Sequence, residues 1–227
     1  MKLQNKFKLF YSITIFLFAY AAQAQSASDA QAHQAQIDQV IARLSKIPIV
    51  LAQLEQKKQL QGFAKPLRSQ GHIIFWKGQG VHIAIEKPFF NAITITPKGI
   101  INWLADGTGI VAQEQSGIIQ KEINKTLLSF LSADTQTIEH TFAATWTFEQ
   151  THWQLMLKPK LDMIAQHLRE VTISGGEFMD QLSVVATNGD LTELTFSKQS
   201  AENKLNSADC KWFFSTNSDP SFHEKCQ

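Results

Sequence analysis

Cysteine is nearly absent: the 227 residues contain only Cys210 and Cys226. A thiolate metal cluster or a multi-bridge disulfide scaffold is therefore not the basis of the fold. An excess of either charge is missing too, with 21 basic against 20 acidic residues. The overall balance gives no reason to expect a nucleic acid or a polybasic membrane patch. Apolar runs reduce to one, Leu9–Tyr20, which is shorter than the roughly 20 residues a membrane helix needs. Catalytic signatures are missing as well. The seven histidines include no His-Glu-x-x-His pair, and there is no Gly-x-Ser-x-Gly elbow. Gly78-Gln-Gly80 and Gly175-Gly176 fall between strands rather than before helices, so neither makes a phosphate loop. Glu86, Glu139, Glu149, Asp162, Glu177, Asp180 and Glu193 form no acid/base pair in sequence. Only groups converging from distant strands could make an enzyme. No catalytic residue, metal ligand or cofactor is expected, and the chain reads as a non-enzyme.

The N-terminus is informative. Lys2, Lys6 and Lys8 precede the apolar run and Ala22-Gln-Ala24 follows it, which is the order of a secretory signal peptide. Cleavage is expected after Ala24, with the mature chain exported and soluble. No cysteine stands at that site to carry a lipid. Without residues 1–24, 18 basic residues face 20 acidic, a formal charge of −2. In an oxidising compartment Cys210 and Cys226 would close a 17-residue loop. Such a bridge is worth roughly 3 kcal/mol and would staple the tail 201–227.

Periodicity assigns the rest. Ile37, Val40, Ile41 and Leu44 predict a helix over Asp29–Lys46, stopped by Pro48. Ile49–Gln59 reads as a first strand. Lys65–Trp103 is a meander of short apolar runs, His72–Trp76, Val81–Ile85 and Ala92–Thr96, with hairpin-length spacers. Val81, Ile83 and Ile85 alternate with His82, Ala84 and Glu86, and Ile93 and Ile95 with Ala92, Thr94 and Thr96, predicting one oily and one wet face. Ile110–Gln115 reads as a strand and Ile118–Leu131 as an oily helix. Phe142–Phe148 and Trp153–Leu157 form a hairpin, and Pro159 opens a helical stretch to Arg169. Val171 and Ile173 begin another strand. Leu182–Thr187 and Leu191–Phe196 flank Asn188-Gly189, the pair favoured in a type I′ turn. With no repeat and no linker, residues 25–200 are expected to form one domain.

The surplus is aromatic: 16 phenylalanines and five tryptophans, mostly at alternating strand positions around one oily helix. A curved sheet with such a face is either filled by its own side chains or encloses a ligand. Periodicity leaves both open.

Certain stretches resemble the outer-membrane lipoprotein carrier (LolA-like) family. They are Gln53-x-x-Gln56-Lys57, Lys65-Pro-Leu-x-Ser69-x-Gly71, Lys87-Pro-Phe89 with Ile93-Thr-Ile-Thr-Pro97, Leu127-Leu-Ser-Phe-Leu-Ser132 and Asn188-Gly-Asp-x-Thr192. The resemblance spans about Ile47 to Phe196. It implies a mainly β fold with some α: a half-open antiparallel β-barrel covered by lid helices. Such proteins shuttle acylated cargo through the periplasm from an inner-membrane release complex to an outer-membrane acceptor. The expected ligand is an acyl chain of a lipoprotein or another lipid, bound by a monomer.

On that reading the cavity wall comprises Phe75, Val81, Ile83, Ile85, Phe89, Ile93, Ile95, Phe142, Trp146, Phe148, Trp153 and Leu155. The lid comprises Ile123, Leu127, Leu128, Phe130 and Leu131, with the N-terminal helix beside it. Two positions depart from the family. The usual Trp five residues before the matching Pro88 is Ile83, and the lid-latching Arg falls on Lys77. Lysine keeps the charge but loses the planar multi-donor fork. A periplasmic scaffold with a filled barrel is the alternative.

Overall fold

The computed structural model describes residues 30–112, 128–129, 135–215 and 226. Contacts divide the chain into two compact units, Met1–Ala42 and Arg43–Gln227. The described part of the first unit is helical, the bulk of α1 (residues 30–45), as the spacing of Ile37, Val40, Ile41 and Leu44 predicts. The proposed signal stretch lies outside the described residues.

The second unit is built on one sheet. Its elements are β1 (Ile49–Gln59), β2 (Leu67–Trp76), β3 (Gly80–Lys87), β4 (Asn91–Thr96), β5 (Gly99–Trp103), β6 (Gly109–Val111), α2 (Thr135–Thr141), β7 (Phe142–Glu149), β8 (His152–Pro159), α3 (Asp162–Ala165), β9 (Leu168–Gly175), β10 (Met179–Ala186), β11 (Leu191–Glu202) and α4 (Ser207–Cys210). The 11 strands lie in the order β6-β5-β4-β3-β2-β1-β11-β10-β9-β8-β7, every neighbour antiparallel. Two meanders are joined by the long β1–β11 ladder, and among the described residues β6 and β7 each have one partner, so the sheet stays open.

Several boundaries differ from expectation. β2 begins at Leu67 rather than His72, and β11 runs to Glu202 rather than Phe196. β5 and α2 were not expected at all. Ile100-Ile101-Asn102-Trp103 shows no clean alternation, so period two did not reveal it. The strand expected at Ile110–Gln115 is Gly109–Val111, and residues 113–115 lie outside the described residues. The helix expected over 159–169 is only Asp162–Ala165. Leu168 already belongs to β9, paired with Ala186. The Asn188-Gly189 hairpin is not type I′, because only Gly189 has positive φ (+89°). Ala186 N–H bonds to Asp190 O and Gly189 N–H to Ala186 O. This is the three-residue loop, a turn followed by a left-handed glycine.

Register sorts the side chains onto two faces. Val50–Phe75–Val81–Ile95 are successive cross-strand partners, as are Ala52–Ile73–Ile83–Ile93. Beyond β1, Leu194–Leu182–Ile173–Leu155–Trp146 continue the row on the same face. At Gly80 a Cβ would collide with the Ile95 carbonyl, so only glycine fits.

The expectation of a wet opposite face is overturned. His82, Ala84, Ala92 and Thr94 are all buried, whereas Ile83, Ile85 and Ile93 on the oily face are only half-buried. The cover is the segment after β11. Leu205, Cys210, Phe213, Phe214 and Cys226 pack on Ile49 and Ile74, and Trp212 packs against Ala84, Ala92, Ile101 and Trp103. Cys210 and Cys226 are joined by a disulfide. Trp76 meets Phe213 edge-on at 5.3 Å, and His82 stacks on Trp212 at 4.9 Å. Apolar burial thus occupies both faces of β1–β5.

Candidate functional site

The oily face holds a cavity of about 380 Å³. Its wall is Ile73, Val81, Ile83, Phe142, Leu157, Ile164, His167, Leu168, Val171, Ile173, Met179, Leu182, Val184, Ala186, Leu194 and Phe196. Val81 on β3 and Phe142 on β7 stand seven strands apart in the sheet order. One hollow can touch both only if the sheet curls into an open barrel. Ile164 and Leu168, whose spacing suggested a single helix, reach the cavity from α3 and β9. A smaller hollow of about 90 Å³ adjoins it, lined by Leu44, Ile47, Val50, Ala52, Phe75, Phe178 and Gln199 together with Ile73, Met179 and Phe196 of the first.

Three expected wall residues, Val81, Ile83 and Phe142, line the main cavity, and Phe75 lines the smaller one. Ile85 packs beside them on the Ala52–Leu54–Phe196 cluster. Ile93 and Ile95 share that face by register but line neither hollow. Trp146, Phe148 and Trp153 form an aromatic group on β7 and β8, Trp146 lying 6.1 Å from Phe148 and 5.8 Å from Trp153. Trp153 and its neighbour Leu155 are buried core rather than cavity wall. Phe89 is corrected outright. It is 82% exposed in the β3–β4 connection, where Pro88 has already ended the strand alternation.

The β9–β11 contribution was missed. Leu182, Val184 and Ala186 alternate with polar or outward residues, as do Leu194 and Phe196, so the hairpin already recognised carried the signal. Of the expected lid, Ile123, Leu127, Phe130 and Leu131 lie outside the described residues, and Leu128 is helical and half-buried.

Lys77 Nζ donates to Ser45 O at 2.6 Å, and the Lys77 amide donates to Pro48 O at 2.8 Å. A cation at the carbonyl end of a helix is favourable. Arg43 donates to Gly176 O at 2.6 Å, and Trp153 Nε1 donates to the same oxygen at 3.0 Å. Among the described residues, the cavity wall carries one titratable side chain, His167. Among the described residues, no group of three or more His, Cys, Asp or Glu is placed to hold a metal. No described helix is long and apolar enough to cross a membrane.

An open antiparallel sheet with an apolar hollow on its inner face has room for a ligand. The chain belongs to the family described as outer membrane lipoprotein carrier protein LolA, whose profile matches residues 45–211. No curated protein matches it. Similar solved structures include a LolA superfamily protein from Nitrosomonas europaea (7% identity, covering 74% of this chain and 94% of that one, TM-score 0.38). They also include the lipoprotein LppX from Mycobacterium tuberculosis (11%, 78% and 98%, TM-score 0.44). A third is the MucA/MucB complex from Pseudomonas aeruginosa (11%, 71% and 56%, TM-score 0.39).

Proposed function

We propose that this protein carries the acyl chains of lipoproteins, or of a related lipid, through the periplasm in the cavity under its curled sheet. The observation that supports this is the cavity itself: about 380 Å³, with His167 the one titratable side chain among the described residues of an otherwise apolar wall. That volume lies in the range of small-molecule sites, roughly 300–1,000 Å³. A wall of this kind offers no fixed charge to select a headgroup. It gains instead about 0.8 kcal/mol for each methylene withdrawn from water. An acyl chain of some 16 carbons would gain on the order of 12 kcal/mol gross. Cargo would come from an inner-membrane release complex and pass to an outer-membrane acceptor, as expected of a family described as lipoprotein carriers. The N-terminal sequence, read as a cleaved signal, supports the periplasmic setting.

The direct test is to extract the purified protein with organic solvent, identify bound lipid by mass spectrometry, and titrate it with a fluorescent fatty-acid probe. Acyl lipid in the extract and displacement of the probe by added fatty acid are expected. Neither lipid nor displacement would leave the filled-barrel scaffold as the better account.

A further inference from the structure

The Lys65-Pro-Leu67 and Lys87-Pro-Phe89 stretches carry the family resemblance, yet none of their residues lines either hollow. They lie side by side at one end of the sheet. Lys58 pairs with Leu67 across β1 and β2, and Gln70 with Lys87 across β2 and β3, which brings the two connections together. From this corner large apolar side chains project into solvent: Phe63 (61% exposed), Leu67 (54%), Phe89 (82%) and Phe90 (41%). Leu104 and Met163, also exposed, lie in connections at the same end. Residues 58–68 and 87–91 contain Lys58, Lys65, Arg68 and Lys87 and no acidic residue. The near-neutral whole chain conceals this local excess. Four carboxylates border it: Asp190 accepts the Gln61 amide at 2.9 Å, Glu86 meets His72 at 2.8 Å, and Asp106 and Asp162 lie in the connections that carry Leu104 and Met163.

We propose that this end of the half-barrel docks on a bilayer surface containing anionic lipid. Separate loop tips that pair an aromatic or leucine side chain with a lysine suit the membrane interface. There the ring sits at headgroup depth and the cation meets lipid phosphate. Pro66 and Pro88 remove backbone donors beside each tip, which disfavours strand addition by a protein partner. The cavity approaches the same end. Thr187 Oγ1 donates to Gln166 O, tying the β10–β11 turn to the α3 segment, and Ala186, His167 and Ile164 beside them line the cavity. Docking would bring that end of the hollow to the bilayer, a consequence that rests on the acyl-binding reading. The docking itself does not.

Flotation of the mature full-length protein with phosphatidylcholine vesicles, with and without phosphatidylglycerol, tests this. Binding is expected only with the anionic lipid and should weaken as salt rises. Each neutralisation in K65Q and K87Q should lower partitioning roughly fivefold, about 1 kcal/mol per basic residue. F63S/F89S should release the protein while displacement of the fatty-acid probe stays unchanged. Equal binding to both vesicle types, or variants that float like the parent, would overturn the proposal. So would a dimer of the parent that F63S/F89S converts to monomer, since a second copy would then cover the patch. Loss of probe binding with flotation intact would sink the carrier reading and leave the docking surface standing.

Discussion

Thr94 has one hydroxyl hydrogen and two oxygen lone pairs, and all three are in use. The hydroxyl donates to Trp212 O at 2.6 Å and accepts from Trp103 Nε1 at 2.8 Å. Its 2.8 Å contact with His82 Nδ1 must therefore be donated by the histidine. That fixes the Nδ1–H tautomer and leaves Nε2 as a buried lone pair with no partner among the described residues. A proton on Nε2 would be an unmatched charged donor inside the cover. Burial, and secondarily His72, lowers the pKa of His82 from 6.5 to about 3. The unfolded chain takes up this proton near pH 6.5 and the folded one does not. Stability is therefore fully present above pH 6.5 and declines as pH falls toward 3, by about 1.4 kcal/mol per unit. The total is on the order of 5 kcal/mol at most. His82→Phe keeps a ring against Trp212 and removes the titration. Urea unfolding measured from pH 7.5 to 4 should show a flatter acid limb in that variant; parallel limbs would mean that other groups govern acid sensitivity.

At the scale of elements, the segment beyond β11 works as a strap. Asn206 Oδ1 accepts the Asp209 amide at 2.8 Å to begin α4, and the Cys210–Cys226 bridge holds the turn against Ile49 and Ile74. Closing a loop of this length contributes roughly 3 kcal/mol. C210S/C226S should lower the urea midpoint correspondingly and shift tryptophan emission to the red as Trp76, Trp103 and Trp212 meet water. An unchanged midpoint would show that the strap holds by packing alone. This element also marks where legibility ended. The strands β3, β4, β7 and β8 could be read from period two, because one oily face repeats every second residue. Trp212, Phe213 and Phe214 are contiguous and follow no period, and their partners lie more than a hundred residues earlier. Nothing local marked Thr94 and His82 as buried; their residue types suggested water. The cavity wall was half legible for a related reason. Sequence pattern shows which face is oily, but only the curl of the sheet decides which oily residues meet across the hollow.

At the scale of the whole molecule, the two faces of the sheet divide the work. Over β1–β5 the strap side is well packed, and the inner side surrounds a void. Ile73 and Ile74 test this division directly, since they are the same residue type, adjacent on β2, and point to opposite faces. Ile74 is 1% exposed beneath the strap, whereas Ile73 lines both hollows. Ile74→Ala should cost about 3–4 kcal/mol, the usual range for emptying a packed core site. It should leave fatty-acid probe affinity unchanged. Ile73 already borders empty space on one side and forfeits fewer contacts, so Ile73→Ala should cost roughly 1–2 kcal/mol. Its main effect should be weaker probe binding, because the removed methyls are ligand contacts rather than core contacts. If both substitutions cost the same and neither moves the probe, the inner face is a filled core and the hollow carries no cargo.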